Sequence, residues 1–135
     1  VNAIDIIPKE YVAQSWAKVD SFIRSAMAHA KGECDISHLK LWCVSGQNTL
    51  MVFLEENIIV GAVVYHFDDM PNDRIFYINA IGGKTTKEHT QAMFDWAVSQ
   101  GATCVRGCAR KSVARLWRMK YGFEEIYRMV EKRLC

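Results

Sequence analysis

The sequence lacks any apolar stretch long enough to cross a membrane. Its cleanest one, Asn57 to Phe67, is bounded by Glu56 and Asp68 and falls well short of the about 20 residues a spanning helix needs. The start, Val1-Asn2-Ala3-Ile4-Asp5, has no basic region followed by an apolar run, so no secretory leader is expected and the expected compartment is the cytoplasm. Cysteines are few and unpatterned. Cys34, Cys43, Cys104, Cys108 and Cys135 are an odd set, and three residues rather than two separate Cys104 from Cys108. Zinc sites want paired short spacings, so no metal site is expected, and the thiols are read as free, mostly buried groups of a reducing cytosol. There is no repeat, linker or low-complexity tract. What is present is ordinary globular material: 135 residues, half hydrophobic and 24% charged. That suits one domain over residues 1–135 with a single core and excludes a disordered chain.

Charge is unevenly placed. Up to Val105 there are 8 Lys and Arg against 12 Asp and Glu, a balance of −4; from Arg106 onward there are 9 against 3, a balance of +6. All the net positive charge of the chain therefore lies in its last part, which points to an anionic ligand near that end.

The apolar pattern predicts a helix from Pro8, with Val12, Trp16, Val19, Ile23, Ala26, Met27 and Ala30 on one face and a stop before Gly32. A second helix is predicted from Asp35, with Ile36, Leu39 and Trp42 or Cys43 inward, then a turn over Ser45-Gly46-Gln47-Asn48. Leu50–Leu54 and Ile58–Tyr65, joined by Glu55-Glu56-Asn57, read as an antiparallel hairpin. After a loop at Asp68–Asp73, Arg74–Ile81 is a third strand ending at Gly82-Gly83. Thr85 to Gln100 reads as a helix, with Thr85 and Glu88 as a capping box and Gly101 as its stop. Ala102–Arg106 is a strand, Ser112–Tyr121 a helix closed by Gly122, and Phe123–Leu134 a last strand. The order α-α-β-β-β-α-β-α-β is that of an alternating α/β domain. Trp16, Trp42, Trp96 and Trp117 are expected in its core.

Two stretches suit an anionic ligand. Ile81-Gly82-Gly83-Lys84-Thr85-Thr86 reads as a strand-to-helix turn whose glycines and free helix N–H groups suit a phosphate; the same glycines equally suit a tight turn that needs them for sterics. It is neither a Walker A loop nor a dinucleotide fingerprint. Arg106, Arg110, Lys111, Arg115, Arg118 and Lys120 have no acid among them. They read as a solvated helix side, as a nucleic-acid face, or as contacts to the phosphates of a nucleotide-bearing cofactor. A pI near 8.3 is low for a nucleic-acid-binding domain.

The run Ala114-Arg115-Leu116-Trp117-Arg118-Met119-Lys120-Tyr121-Gly122-Phe123 resembles the closing helix and turn of the GNAT superfamily of N-acetyltransferases. In that family an Ala begins a helix that ends in a bulky residue plus Gly-Phe, and a last strand follows. Glu55-Glu56-Asn57-Ile58-Ile59-Val60-Gly61-Ala62 resembles the family's second and third strands. With the element order, the resemblance covers nearly the whole chain. It implies a single GNAT-like α/β domain, with a mixed, mostly antiparallel sheet and helices on both faces, that binds acetyl-CoA. The family places the cofactor pyrophosphate where Gly82, Gly83, Lys84 and Thr85 stand here; Ile81 beside them, and Arg110 and Arg115 of the basic run, are the further candidate cofactor contacts. Asn79-Ala80-Ile81-Gly82-Gly83-Lys84-Thr85 lacks the family's leading Arg or Gln and its full glycine pattern. Four residues before the Gly of Gly-Phe, where the family often has a Tyr acid, this chain has Arg118. A guanidinium is no useful proton donor, though its charge stabilises a thiolate. Tyr121 and Tyr127 lie near in sequence and do not match the position.

For a general base, His66 at the end of the second hairpin strand is the candidate on pKa grounds. Glu55 and Glu56 read as turn residues, Asp73 as a strand start and His89 as a surface residue in a helix's first turn. A free strand N–H between Ile78 and Ala80 is the expected donor to the thioester oxygen. Trp16 to Ala30, Gly32-Glu33, Asp35-Ile36, Gly46, the strand at Leu50 and Lys120-Tyr121-Gly122-Phe123 also look like the acetyltransferase-like proteins of tailed phages and prophages. Two functions follow from these resemblances. One is transfer of acetyl from acetyl-CoA to an amine substrate. The other is a catalytically silent structural protein, partnered by phage structural proteins inside a virion.

Overall fold

The computed structural model describes residues 3–28 and 34–134. A five-stranded sheet runs in the order β1-β2-β3-β4-β5, with β1 Ile4–Ile7, β2 Thr49–Glu55, β3 Ile58–Asp69, β4 Arg74–Gly83 and β5 Cys104–Gly107. Neighbours pair antiparallel up to β4, and β4 with β5 is parallel. The parallel step needs a crossover, which α4, Lys87–Ser99, supplies. The expected mixed sheet with helices on both faces is what forms. β1 was not expected; four residues stopped by Pro8 carry too little alternation to read.

The hairpin turns through Glu56 and Asn57 at φ 52° and 65°, the left-handed pair that matches strand twist in a two-residue connection. β3 runs four residues past its expected end at Tyr65. Alternate residues then face opposite sides. Leu50, Val52, Ala62 and Val64 pack against Val12, Trp16, Val19, Ile23, Leu39 and Cys43. Met51, Phe53, Val63, Tyr65 and Phe76 pack against Met93 and Ala97 of α4. Each large apolar side chain so buried contributes roughly 1.5–3 kcal/mol.

The first expected helix is broken. A 3₁₀ turn at Lys9–Tyr11 leads into α1, Val12–Ser15, and a second one at Trp16–Lys18 into α2, Asp20–Met27. At the break the Val19 N–H bonds three residues back to the Trp16 carbonyl, at 3.0 Å, and the Trp16 indole donates to Asp20 at 3.0 Å. The apolar stripe survives this, with Ala26 and Met27 packed at its rim. Ala30 and the stop before Gly32 lie outside the described residues, as does the Gly32-Glu33 pair. α3, Ile36–Ser45, starts after Asp35 and ends at the Ser45–Asn48 turn as its sequence predicts; Asp35 caps it and left-handed Gly46 stops it. Among the described residues no helix is long and apolar enough to cross a membrane.

Two further expectations are corrected. The capping box of α4 is Thr86 with His89, one residue beyond Thr85 and Glu88. The cause is that β4 continues through Gly82 and Gly83 instead of turning there. The second concerns the end of the chain. α5, Lys111–Tyr121, closes at Gly122 with φ 75°, but no strand forms over Phe123–Leu134. The residues after Gly122 run without helix, strand, turn or bend, and the edge of β5 away from β4 carries no strand among the described residues.

Candidate active site

The ladder of β4 with β5 ends at Ile78 opposite Gly107, the last residue of β5, while β4 continues five residues to Gly83. Beside this end of the ladder β4 is bulged: Val64 pairs with Ala80 and Tyr65 with Ile78, so Asn79 is an extra residue. A bulge bends its strand and sharpens the local twist, which turns β4 away from β5. The gap is a cavity of about 240 Å³ between β4, α4 and α5, walled by Ile78, Ile81, Phe94, Trp117 and Tyr121 among others. It is smaller than the roughly 300–1,000 Å³ of drug-sized ligand sites and suits a thin, extended chain.

At the head of α4 the buried His89 completes the cap. Its Nδ1 accepts from the Thr86 N–H at 3.1 Å, and its Nε2–H donates to the Leu54 carbonyl at 2.8 Å. Its ring stacks on Phe53 with centroids 5.2 Å apart. The expectation of a surface residue is thus overturned: this imidazole ties α4 to β2. The amides of Lys87 and Glu88 have no acceptor among the described residues and lie at the positive end of the helix dipole.

On the opposite face of β4 a polar cluster surrounds the bulge. The Asn79 amide donates to His66 Nδ1 at 2.7 Å, so the other ring nitrogen carries the proton and Nε2–H donates to Asp68 at 2.9 Å. The Tyr77 ring lies 5.2 Å from the imidazole, and its hydroxyl is 3.2 Å from the Cys108 thiol. At the start of α5, Arg110, Lys111, Ser112 and Arg115 line an open depression of about 650 Å³. No side chain caps that helix, and these cations have no carboxylate partner among the described residues.

An aminoglycoside acetyltransferase (meta-AAC0020) from an uncultured soil metagenomic sample, in complex with trehalose, matches 98% of this chain over 95% of its own, with TM-score 0.69 and 17% identity. AAC(6')-Iy in complex with the bisubstrate analogue CoA-S-monomethyl-acetylneamine matches 96% of the chain over 95% of its own, with TM-score 0.65 and 14% identity. The fold is that of the GNAT acetyltransferases. A Clostridium acetobutylicum protein described as a predicted acetyltransferase, solved with acetyl-CoA, matches 97% over 95%, with TM-score 0.62 and 15% identity. No protein-family model matches the sequence, and no curated protein does.

Within this GNAT fold the residues singled out from sequence divide by location. Ile81, Gly82, Gly83 and Thr85 lie on the wall of the cleft. Lys84 does not: its N–H bonds to the Val60 carbonyl at 2.8 Å, and its ammonium pairs with Glu55 at 2.7 Å. That pairing holds the Glu55 carboxyl below the usual carboxylate range. Gly82 has a packing reason, since a Cβ there would run into the Phe22 carbonyl of α2. Gly83, at φ 83°, would put a Cβ 2.6 Å from Gly61 Cα. Arg118 is exposed and is not among the residues lining the cleft; the phenol on that wall is Tyr121. Arg110 and Arg115 share the depression beside α5.

Asn79, Asp68 and Tyr77 were missed from sequence. The one signal for Asn79 is a skipped beat, in which the apolar face of β4 runs Phe76, Ile78 and then Ile81. Of the tryptophans, Trp16 is buried and Trp42, Trp96 and Trp117 are half-buried. Burial pushes the Cys43 thiol up to about 12, whereas Cys108 is exposed and Cys104 half-buried; Cys135 lies outside the described residues. No group of three or more His, Cys, Asp or Glu among the described residues is placed to hold a metal ion.

Proposed function

We propose that the protein transfers acetyl from acetyl-CoA to an amine. The observation that carries this is the apolar cleft beside the bulged β4, where the β4–β5 ladder ends at Ile78 and Gly107. The fit to the cofactor is reasonable in kind. The narrow cleft walled by Ile78, Ile81, Phe94 and Trp117 matches a pantetheine arm. The Lys87 and Glu88 amides, with Arg110, Lys111 and Arg115, offer donors and charge to phosphates. Gly82, Gly83 and Thr85 line that path, and Lys84 lends less charge because Glu55 already neutralises it.

When bound, acetyl-CoA supplies an acyl group activated as a thioester. The chain's own groups do the rest. Beyond Ile78 the β5-side edge of β4 has no strand beside it among the described residues, so main-chain N–H groups there are positioned to bond and orient a carbonyl. His66, backed by the Asp68 carboxylate, takes the proton from the incoming amine. For that, the Asn79 amide swings off Nδ1, the ring nitrogen that carries no hydrogen, and leaves its lone pair to the amine, while Nε2–H stays on Asp68. Much of the acceleration comes from holding amine and acyl carbon together. Arg118 is off the cleft wall and is assigned no proton transfer; its charge adds to the positive field of α5.

The alternative, a silent structural protein of a phage particle, draws on exposed Arg118 where the family carries Tyr. Calorimetric titration with acetyl-CoA separates the two. Micromolar binding that is abolished by Leu116→Trp, which fills the cleft, supports transfer. No binding at millimolar acetyl-CoA overturns it.

A further inference from the structure

Three strands contribute one residue each to a single rung of the sheet. His66 of β3 stands opposite Tyr77 of β4, and Tyr77 stands opposite Arg106 of β5. Side chains of one rung leave the sheet on the same face. The Tyr77 ring lies against the imidazole. Val105, one residue before Arg106, packs into the core on the α4 side, so Arg106 points to the face that carries His66 and Tyr77. The rung lies one residue before the end of the β4–β5 ladder at Ile78 and Gly107, and its three residues are half-buried.

Arg106 differs from the other cations of the basic run. Arg110, Lys111, Arg115, Arg118 and Lys120 are exposed residues on or beside α5. Arg106 sits in a strand and lines neither the depression at the head of α5 nor the cleft. Its guanidinium meets no acceptor and no carboxylate among the described residues. Asp68, two residues along β3 on the same face, is taken by His66 at 2.9 Å. A guanidinium offers five donors in a planar fork, and a carboxylate matches that fork with two parallel bonds.

We infer that the acceptor amine is that of an α-amino acid, with its carboxylate on Arg106 and its nitrogen at His66. The inference rests on the acetyl-transfer reading above. Two strand spacings set His66 and Arg106 about 10 Å apart at Cα. The nitrogen and a carboxylate oxygen of an α-amino acid lie roughly 3 Å apart, and a hydrogen bond of about 2.9 Å at each end makes up the span. The Tyr77 ring is the floor between them. In the step itself the neutral amine bonds to the acetyl carbon, the carbon–sulfur bond breaks with its electron pair on the CoA sulfur, and the amine proton passes to His66. A polycationic acceptor would instead set an ammonium against Arg106.

Thiol release with the common α-amino acids, each beside its carboxamide, tests it in the full chain and in Arg106→Gln. Acetyl-CoA affinity is measured in both by calorimetry. The carboxamide is expected to show a KM roughly 10–100-fold above that of the acid, the usual worth of a hydrogen bond to a charged group, at similar kcat. Arg106→Gln is expected to raise KM for the acid by a like factor, to erase the difference between acid and carboxamide, and to leave acetyl-CoA affinity unchanged; Arg106→Lys restores part of the difference. Titrating the preferred amino acid into the protein with CoA should show the same loss of affinity in Arg106→Gln without turnover. Several results overturn the inference while acetyl-CoA still binds and the transfer reading stands: acid and carboxamide react alike, an aminoglycoside or polyamine is preferred, no α-amino acid reacts, or Arg106→Gln weakens acetyl-CoA instead. No binding of acetyl-CoA at millimolar concentration overturns both.

Discussion

Asn79 and His66 are joined across β4 and β3 by a 2.7 Å hydrogen bond from the amide to the imidazole Nδ1. Asn79 is the extra residue of the bulge, so the ring holds the point at which β4 turns from β5. With Nε2–H on Asp68, the imidazole has no idle nitrogen. It is both a clamp on the bulge and the proton acceptor of the proposed reaction.

His66→Gln is expected to lower kcat by roughly 10²–10⁴-fold, the usual contribution of a general base. Acetyl-CoA affinity should change little, because the His66 ring is not among the residues that line the cleft. Thiol release, measured beside calorimetric binding, checks both numbers. A loss of cofactor binding in step with kcat would assign the residue to the bulge alone.

His89 is a stability residue. His89→Ala removes the partner of the Thr86 N–H and a donor to the Leu54 carbonyl. The expected cost is about 1–3 kcal/mol from a lost cap partner and a lost hydrogen bond. Urea unfolding followed by tryptophan fluorescence measures it.

Two glycines are expected to answer differently to alanine. At Gly82 a Cβ meets the Phe22 carbonyl, and Gly82→Ala should cost about 3 kcal/mol by overpacking. Gly122 has nothing within 4 Å of a Cβ but sits at φ 75°, so Gly122→Ala should cost only about 1 kcal/mol. Thermal melts of the two variants test the ordering; equal losses would contradict it.

The cysteines should separate by reactivity. At mildly alkaline pH Cys108 is expected to label first with a thiol reagent, while Cys43 labels only on unfolding. Because burial raises the folded Cys43 value to about 12, the folded state keeps a proton that the unfolded state releases near the ordinary thiol value. Its contribution to stability is therefore complete at neutral pH and falls as pH rises toward 12. Urea midpoints against pH, compared with Cys43→Ala, would show a smaller alkaline loss in the variant.

Much of the fold was legible because it follows from local pattern. The stripe from Val12 to Met27, the Glu56-Asn57 turn and the left-handed stops at Gly46, Gly101 and Gly122 need only nearby residues. The misreadings share a cause, in that each depends on a distant part of the chain. Thr86 rather than Thr85 caps α4 because the pairing of β4 with β3 persists to Gly83. His89 looks like a surface residue until β2 places the Leu54 carbonyl beside it. Gly82-Gly83 reads as a turn until the ladder with β3 runs through it to Gly83.

From sequence alone came the class of domain, the GNAT resemblance and the concentration of positive charge after Arg106, since periodicity, motif spacing and composition are properties of the chain itself. The tertiary structure alone decided that β4 bulges at Asn79 and runs on past β5, that the cleft beside it excludes Arg118, and that the tail after Phe123 joins no strand among the described residues. Bulge register, cavity walls and free strand edges are relations between segments far apart in sequence. They come into being only when the sheet closes.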